Sequence, residues 1–298
     1  MPYLLPVPVG HYLDPNQPFP LDPYNWQFLA EGDSWFSITD EVLNNRNLLP
    51  CLHFPKAAAA INCAAPGDIA GKMFKRNPQF KMLLQQRWWL AILVSASGND
   101  LIDAINVTPN DSTGQLRPAR ERILLTKAEA IDASDPHAYV SEAGMNALAG
   151  YLLWWFASLV EWRDAGQSKG RPVFLHTYSV PVARPAGVPG KSKGWLHPAL
   201  VRNGVPKDLH QGVTDIVFGK LRLFLLGLDT DARSGYRLPN VHVFDSAAIP
   251  LDQADPDATG PSGDWVNEIH LRTSGAEKLG QPFSSFILQR FSRYGMPG

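Results

Sequence analysis

Five short stretches of this chain, at 26–30, 57–64, 89–96, 172–178 and 241–244, are apolar, most of them on consecutive rather than alternating positions. A strand with one wetted face alternates apolar and polar side chains, whereas a strand buried on both faces does not. Helical spacing fills the intervals, around 39–47, 67–76, 79–87, 137–165, 208–228 and 273–292. Strands alternating with helices imply parallel pairing with helical crossovers. The expected fold is therefore α/β, a three-layer α/β/α sandwich around a central, mostly parallel five-stranded sheet. The 298 residues suffice for one such domain, taken as 1–298, with a sizeable core.

Three segments stand outside that alternation. Residues 1–25 carry seven of the chain's prolines and read as an extended arm laid over the fold. The stretch 107–135 reads as an insertion with turn residues and a short amphipathic helix, and 180–194 as a loop rich in proline and glycine. Both are candidates for shaping a substrate mouth. Between Glu142 and Glu161 no charge occurs, a run at the minimum length for crossing a bilayer. Yet Met145, Leu148, Leu152, Trp155, Leu159 and Trp162 follow a three-and-four spacing, which predicts a helix packed on a core rather than an integral membrane segment.

Lys and Arg number 27 against 28 acidic residues, so no long-range field favours nucleic acid or an anionic membrane. The opening residues Met1 to Pro6 lack the basic region and unbroken apolar core of a secretory signal. Cytoplasmic residence is the default expectation, with secretion by another route left open. Cys51 and Cys63 read as buried free thiols, a disulfide between them being neither demanded nor forbidden. No H-E-x-x-H pair, calcium-spaced carboxylate cluster or Gly-rich phosphate loop appears, so neither metal nor cofactor is expected.

Each apolar run ends in residues suited to chemistry. The first ends in Gly32-Asp33-Ser34-Trp35, the second leads to Ala65-Pro66-Gly67-Asp68, and the third to Ser97-Gly98-Asn99-Asp100. The fourth ends in His176-Thr177-Tyr178 and the fifth in Asp245, while Asn267-Glu268-Ile269-His270 precedes the last helix. Open α/β sheets bind ligands outside the carboxyl ends of their strands, so these segments converge on one rim. A serine hydroxyl becomes a useful nucleophile only when a base takes its proton, and the base usually comes from far along the chain. Ser34 near the start and His270 near the end meet that description.

Together the motifs resemble those of the SGNH (GDSL-type) hydrolase superfamily of esterases and lipases, in family order from about residue 28 to 279. The resemblance implies a flavodoxin-like sheet. It also implies Ser34 as nucleophile, His270 as general base, and an oxyanion hole from the N–H groups of Ser34 and Gly67 and the side chain of Asn99. Trp35 stands where the family commonly has leucine, Ser97 where it usually has glycine, and Leu271 where it usually has proline. The larger departure is Asn267, three residues before the histidine, where the family places aspartate. A carboxylate there fixes the imidazole tautomer and stabilises the imidazolium; asparagine orients without charge. Asn267 is the first candidate for orienter and Asp264 the second, with Glu268 and Asp245 as further carboxylates on the same rim.

The implied chemistry is acyl transfer through a Ser34 acyl-enzyme, with a small-molecule or lipid carboxylic ester as substrate. A lysophospholipase, thioesterase or acyltransferase would use the same machinery, and a catalytically silent binding protein is the reading that Asn267 motivates. Trp35, Trp195 and His176 are candidates for contacting substrate, His176 also reading as a satisfied structural histidine. Trp88-Trp89 and Trp154-Trp155 read as core.

Overall fold

The computed structural model describes residues 1–188 and 194–295, with Arg76 described by its backbone only. All five expected runs are strands, and a sixth precedes them. They are β1 (Leu4–Pro8), β2 (Trp26–Gly32), β3 (Ala58–Asn62), β4 (Ala91–Ser95), β5 (Val173–His176) and β6 (Val241–Phe244). The sheet runs β1-β3-β2-β4-β5-β6, and every pairing is parallel. Six strands rather than five is a correction, and the reason is proline. Pro6 and Pro8 donate no hydrogen bond, which argues against a central strand but is tolerated at an edge. β1 pairs only with β3 and buries Leu4 and Val7.

Without that edge the order is β3-β2-β4-β5-β6, the flavodoxin-like 2-1-3-4-5 arrangement. The winding reverses between β2 and β4, so a crevice opens where the carboxyl ends of these two strands diverge. Ser34 follows β2 directly and Ser97 follows β4.

The helices are α1 (Val9–Tyr12), α2 (Ser34–Ser37), α3 (Ala70–Arg76), α4 (Pro78–Gln86), α5 (Gly98–Asn106), α6 (Glu142–Asp164), α7 (His197–Arg202), α8 (His210–Leu226) and α9 (Thr273–Phe291). On one face of the sheet α3, α4, α5 and α8 gather around α6. On the other lies α9, whose Phe283 stacks on Phe244 at 4.9 Å and whose Phe291 meets Phe28 and Phe174. Along α6 the stripe from Met145 to Leu159 is buried, while Trp162 is half-buried. Among the described residues α6 alone is long and apolar enough to cross a membrane, and half of that window is buried against its neighbours.

Several expectations fail for local reasons. Residues 39–47 form turns instead of a helix, because the Asp40 side chain accepts from the N–H groups of Val42 and Leu43, and Asn44 adopts a left-handed φ of 52°. The segment 107–135 contains only a short 3-10 turn, Ala119–Glu121. Its buried Arg122 is paired with Glu129, and it lies against the start of α6 through Ser141 Oγ to Ala119 O. Trp89 and Trp155 are core, but Trp88 and Trp154 are exposed, since consecutive residues point in different directions. Cys51 and Cys63 are both free and buried.

Candidate active site

Ser34 opens α2 at the end of β2. Gly32 lets that end lie against β4, since a Cβ there would sit 2.8 Å from Ser95 O. Asp33 caps α2 by accepting from Trp35 N at 2.9 Å, and the same oxygen accepts from Ser95 Oγ at 2.8 Å. Its other oxygen accepts from the Tyr178 hydroxyl at 2.5 Å. Burial pushes the Asp33 carboxyl up to about 6, although these donors pull it back. Asp33 is thus a fastener between β2, β4 and the end of β5, in keeping with a structural role.

The third motif is tied to the second. Asn99 Nδ2 donates to Asp68 O at 3.0 Å, and the Asp100 carboxylate accepts from Ala70 N at the start of α3. Gly98 is demanded by packing, as a Cβ would lie 2.8 Å from the Tyr178 ring. Ser97, where the resemblance leads one to expect glycine, takes a φ of 92°. Its hydroxyl is buried without a partner among the described residues.

His270 belongs to the turn before α9. Asn267 Oδ1 accepts from the N–H groups of Ile269 and His270 at 3.1 and 2.9 Å and lies 3.0 Å from His270 Nδ1. An amide oxygen only accepts, so this contact places the ring proton on Nδ1 and leaves Nε2 as the basic nitrogen. Burial lowers the imidazole to about 4. Trp195 meets the ring edge-on at 5.4 Å. The Trp35 indole donates to Ile269 O at 3.3 Å, joining the serine turn directly to the histidine turn.

Ser34 and His270 share the wall of one small cavity, together with Trp35, Asn45, Arg46, Leu48 and Leu271. They form no direct hydrogen bond, as is common before substrate tightens such a site. Ser34 and Trp35 also line an adjoining crevice with Asn99, Tyr178, Ile102, Pro181, Phe218, Trp265 and Ile269. Ser34 thus stands where the cavity that holds His270 meets a largely apolar crevice.

The remaining candidates fall elsewhere. Asp264 is not the orienter, because its oxygens are engaged by Ser274 at 2.6 Å, Lys278 at 2.7 Å and Asp252 N at 2.7 Å. Glu268 accepts from four main-chain N–H groups, those of Arg184, Trp195, Leu196 and His197, and so anchors the loop entering α7. Asp245 is held by Arg222 and Thr177. His176 does not face either cavity but is buried among Trp35, Phe36, Tyr178 and Phe283, because its strand position faces α9. Burial lowers it to about 4. Gly67 is an exposed turn residue with a φ of 75° and lines neither cavity.

No residue of 107–135 lines either cavity, whereas Pro181 of the 180–194 loop does. Positions 189–193 of that loop lie outside the described residues. The reading of the sequence missed the crevice walls Ile102, Phe218 and Trp265. Only Ile102 carried a signal, one helical turn beyond Gly98 and Asn99 on α5.

No protein-family model and no curated protein matches the chain. Among solved structures, it is similar to the phospholipase A1 from Streptomyces albidoflavus NA297, with a TM-score of 0.45, 13% identity and coverage of 88% of this chain and 98% of that one. The lipase Lip_vut3 from a goat rumen metagenome gives 0.46 and 12% identity, covering 88% and 97%. The extracellular lipase from Streptomyces rimosus gives 0.45 and 10% identity, covering 88% and 98%. At TM-scores under 0.5 these likenesses carry no weight for the chemistry, which stands on this chain's own side chains.

Proposed function

We propose that the protein is a serine hydrolase acting on carboxylic esters with an apolar acyl group. Ser34 Oγ attacks the ester carbonyl while His270 Nε2 takes its proton. The oxyanion is met by the N–H of Ser34 and the free hydrogen of Asn99 Nδ2, while Gly67, which lines neither cavity, takes no part. The protonated histidine then gives its proton to the leaving alcohol, and water repeats the sequence on the acyl-enzyme. One observation carries the reading: residues from opposite ends of the chain, Ser34 and His270, line a single cavity, with Asn267 Oδ1 holding the imidazole at 3.0 Å. The apolar walls Ile102, Phe218 and Trp265 support the choice of acyl group.

The test is covalent labelling with a fluorophosphonate followed by turnover of p-nitrophenyl esters of rising chain length. Labelling and hydrolysis are both expected, and both should vanish in Ser34→Ala to the level of the uncatalysed reaction. The absence of any label from pH 6 to pH 9 would mean a silent scaffold, which the neutral orienter Asn267 favours as the second reading. A preference for acetate with nothing beyond butyrate would remove the apolar acyl group from the proposal.

A further inference from the structure

We propose that Asp229, Asp231 and His242 form a binding site for a divalent transition-metal ion, with zinc the ion its donor set suits. The three residues lie at the outer edge of the sheet, away from the strand ends that carry Ser34. Asp229 follows α8 and holds the open edge of β6, its Oδ2 accepting from Val243 N at 2.8 Å while Thr230 N donates to Val241 O at 2.8 Å. The other Asp229 oxygen accepts from Asp231 N at 2.8 Å, which brings the second carboxylate alongside the first. One ligand atom from each of Asp229, Asp231 and His242 lies within 4.8 Å of the other two. Asp231 is exposed, so its side chain has room to rotate inward.

The histidine supplies the independent sign of a ligand. His242 has no exposed surface, and its Nε2 lies 2.8 Å from the Tyr294 hydroxyl. That hydroxyl donates its proton to Asn240 Oδ1 at 3.2 Å, so Nε2 must be the donor to it. Nδ1 is then an unprotonated acceptor, buried and without a hydrogen-bond partner among the described residues. A ring nitrogen of His242 lies within 4.8 Å of both carboxylates, and an imidazole carrying an unprotonated, unpartnered nitrogen beside two carboxylates calls for a positive partner. Arg293 is paired with Asp231.

A metal ion fits this donor set. Imidazole with two carboxylates suits zinc and its transition-row neighbours, whereas calcium and magnesium take oxygen ligands. The outer partners that such sites need are present: Tyr294 on Nε2, main-chain N–H groups on Asp229, and Arg293 on Asp231. Three protein ligands leave a fourth position for water. An ion here would tie the α8–β6 connection to the edge strand and to the turn after α9, so its effect falls on stability rather than on hydrolysis.

The full chain, stripped with a chelator, is titrated with zinc chloride by calorimetry and thermal melting. One zinc per chain and a rise in Tm of roughly a few degrees are expected at saturation. His242→Gln and Asp231→Asn should each weaken zinc by about a hundredfold or more, in line with the loss of a ligand. Asp231 is exposed, so its variant keeps the test readable if His242→Gln fails to fold. Hydrolysis of a soluble ester at 25 °C should be unchanged in Asp231→Asn. Absence of zinc binding by the wild-type chain, zinc bound equally well by Asp231→Asn, or an equal melting shift with calcium would each overturn the assignment.

Discussion

Ser34 stands on a turn fastened by a buried carboxylate, while His270 stands on one fastened by an amide. Beneath the serine, Asp33 gathers Trp35 N, Ser95 and Tyr178, and its charge serves to lock three strand ends together. Beneath the histidine, Asn267 makes a similar fan of contacts to Ile269 N, His270 N and His270 Nδ1, with no charge at all. The carboxylates that could have supplied one are occupied, Asp264 by Lys278, Glu268 by main-chain N–H groups and Asp245 by Arg222. Geometry and charge are therefore separable jobs in this site. The histidine is well oriented but its protonated form is unsupported, and burial accordingly lowers it to about 4.

The comparison can be broken in several places. The largest effect short of losing the nucleophile should come from Asn99→Ala, which removes one oxyanion donor and should lower kcat by ~10²–10³ with little change in KM. A change below threefold would take Asn99 out of the chemistry. Next comes Asn267→Asp, which adds charge without moving the ring. An adjacent carboxylate raises a histidine by about 1–3 pH units, and kcat at pH 7 should rise by about tenfold or more. The base works when neutral, so activity in the native chain is present above about pH 4 and lost as pH falls through it. In Asn267→Asp that acid limb should move upward in a pH–rate profile. An unmoved limb, or lower activity at pH 7, would show that charge is not what this side lacks.

Trp35→Phe deletes the indole bond to Ile269 O that joins the two turns. A single hydrogen bond contributes about 0.5–1.5 kcal/mol, so kcat should fall roughly two- to tenfold while melting changes little. Loss of stability without loss of kcat would make Trp35 a packing residue only. The smallest effect belongs to the serine side. Ser97→Gly relieves a left-handed side chain and an unpartnered buried hydroxyl, offset in part by glycine's entropy in the unfolded chain. A gain of about 1 kcal/mol is expected, or roughly 2–4 °C in Tm, with kcat unaltered.

Much of this was legible beforehand. Parallel strands buried on both faces leave continuous apolar runs, so β2 to β6 could be read directly. β1 was hidden by prolines, which describe an edge strand and an irregular arm equally well. The helix expected over 39–47 failed because an Asp40 side chain competes for main-chain donors, a contest that periodicity does not register. Ser34, Asn99 and His270, singled out by their places after strands or before the last helix, all line the two adjoining cavities. His176 was left between a substrate contact and a structural histidine, since strand position alone does not say which face the closing helix covers. The trio Asp229, Asp231 and His242 left no trace in spacing, because the contact depends on a loop folding back along the sheet edge.

The order of apolar runs and chemical motifs determined the sandwich and placed Ser34 and His270 on one rim, because burial and strand-end placement are written residue by residue. Which polar group answers which was decided only by the tertiary structure. Asp264 and Glu268 lie close to His270 in sequence, and each has its lone pairs filled by partners at least ten residues away from it. Hydrogen-bond capacity is finite, and how it is shared among competing donors is settled by packing in three dimensions.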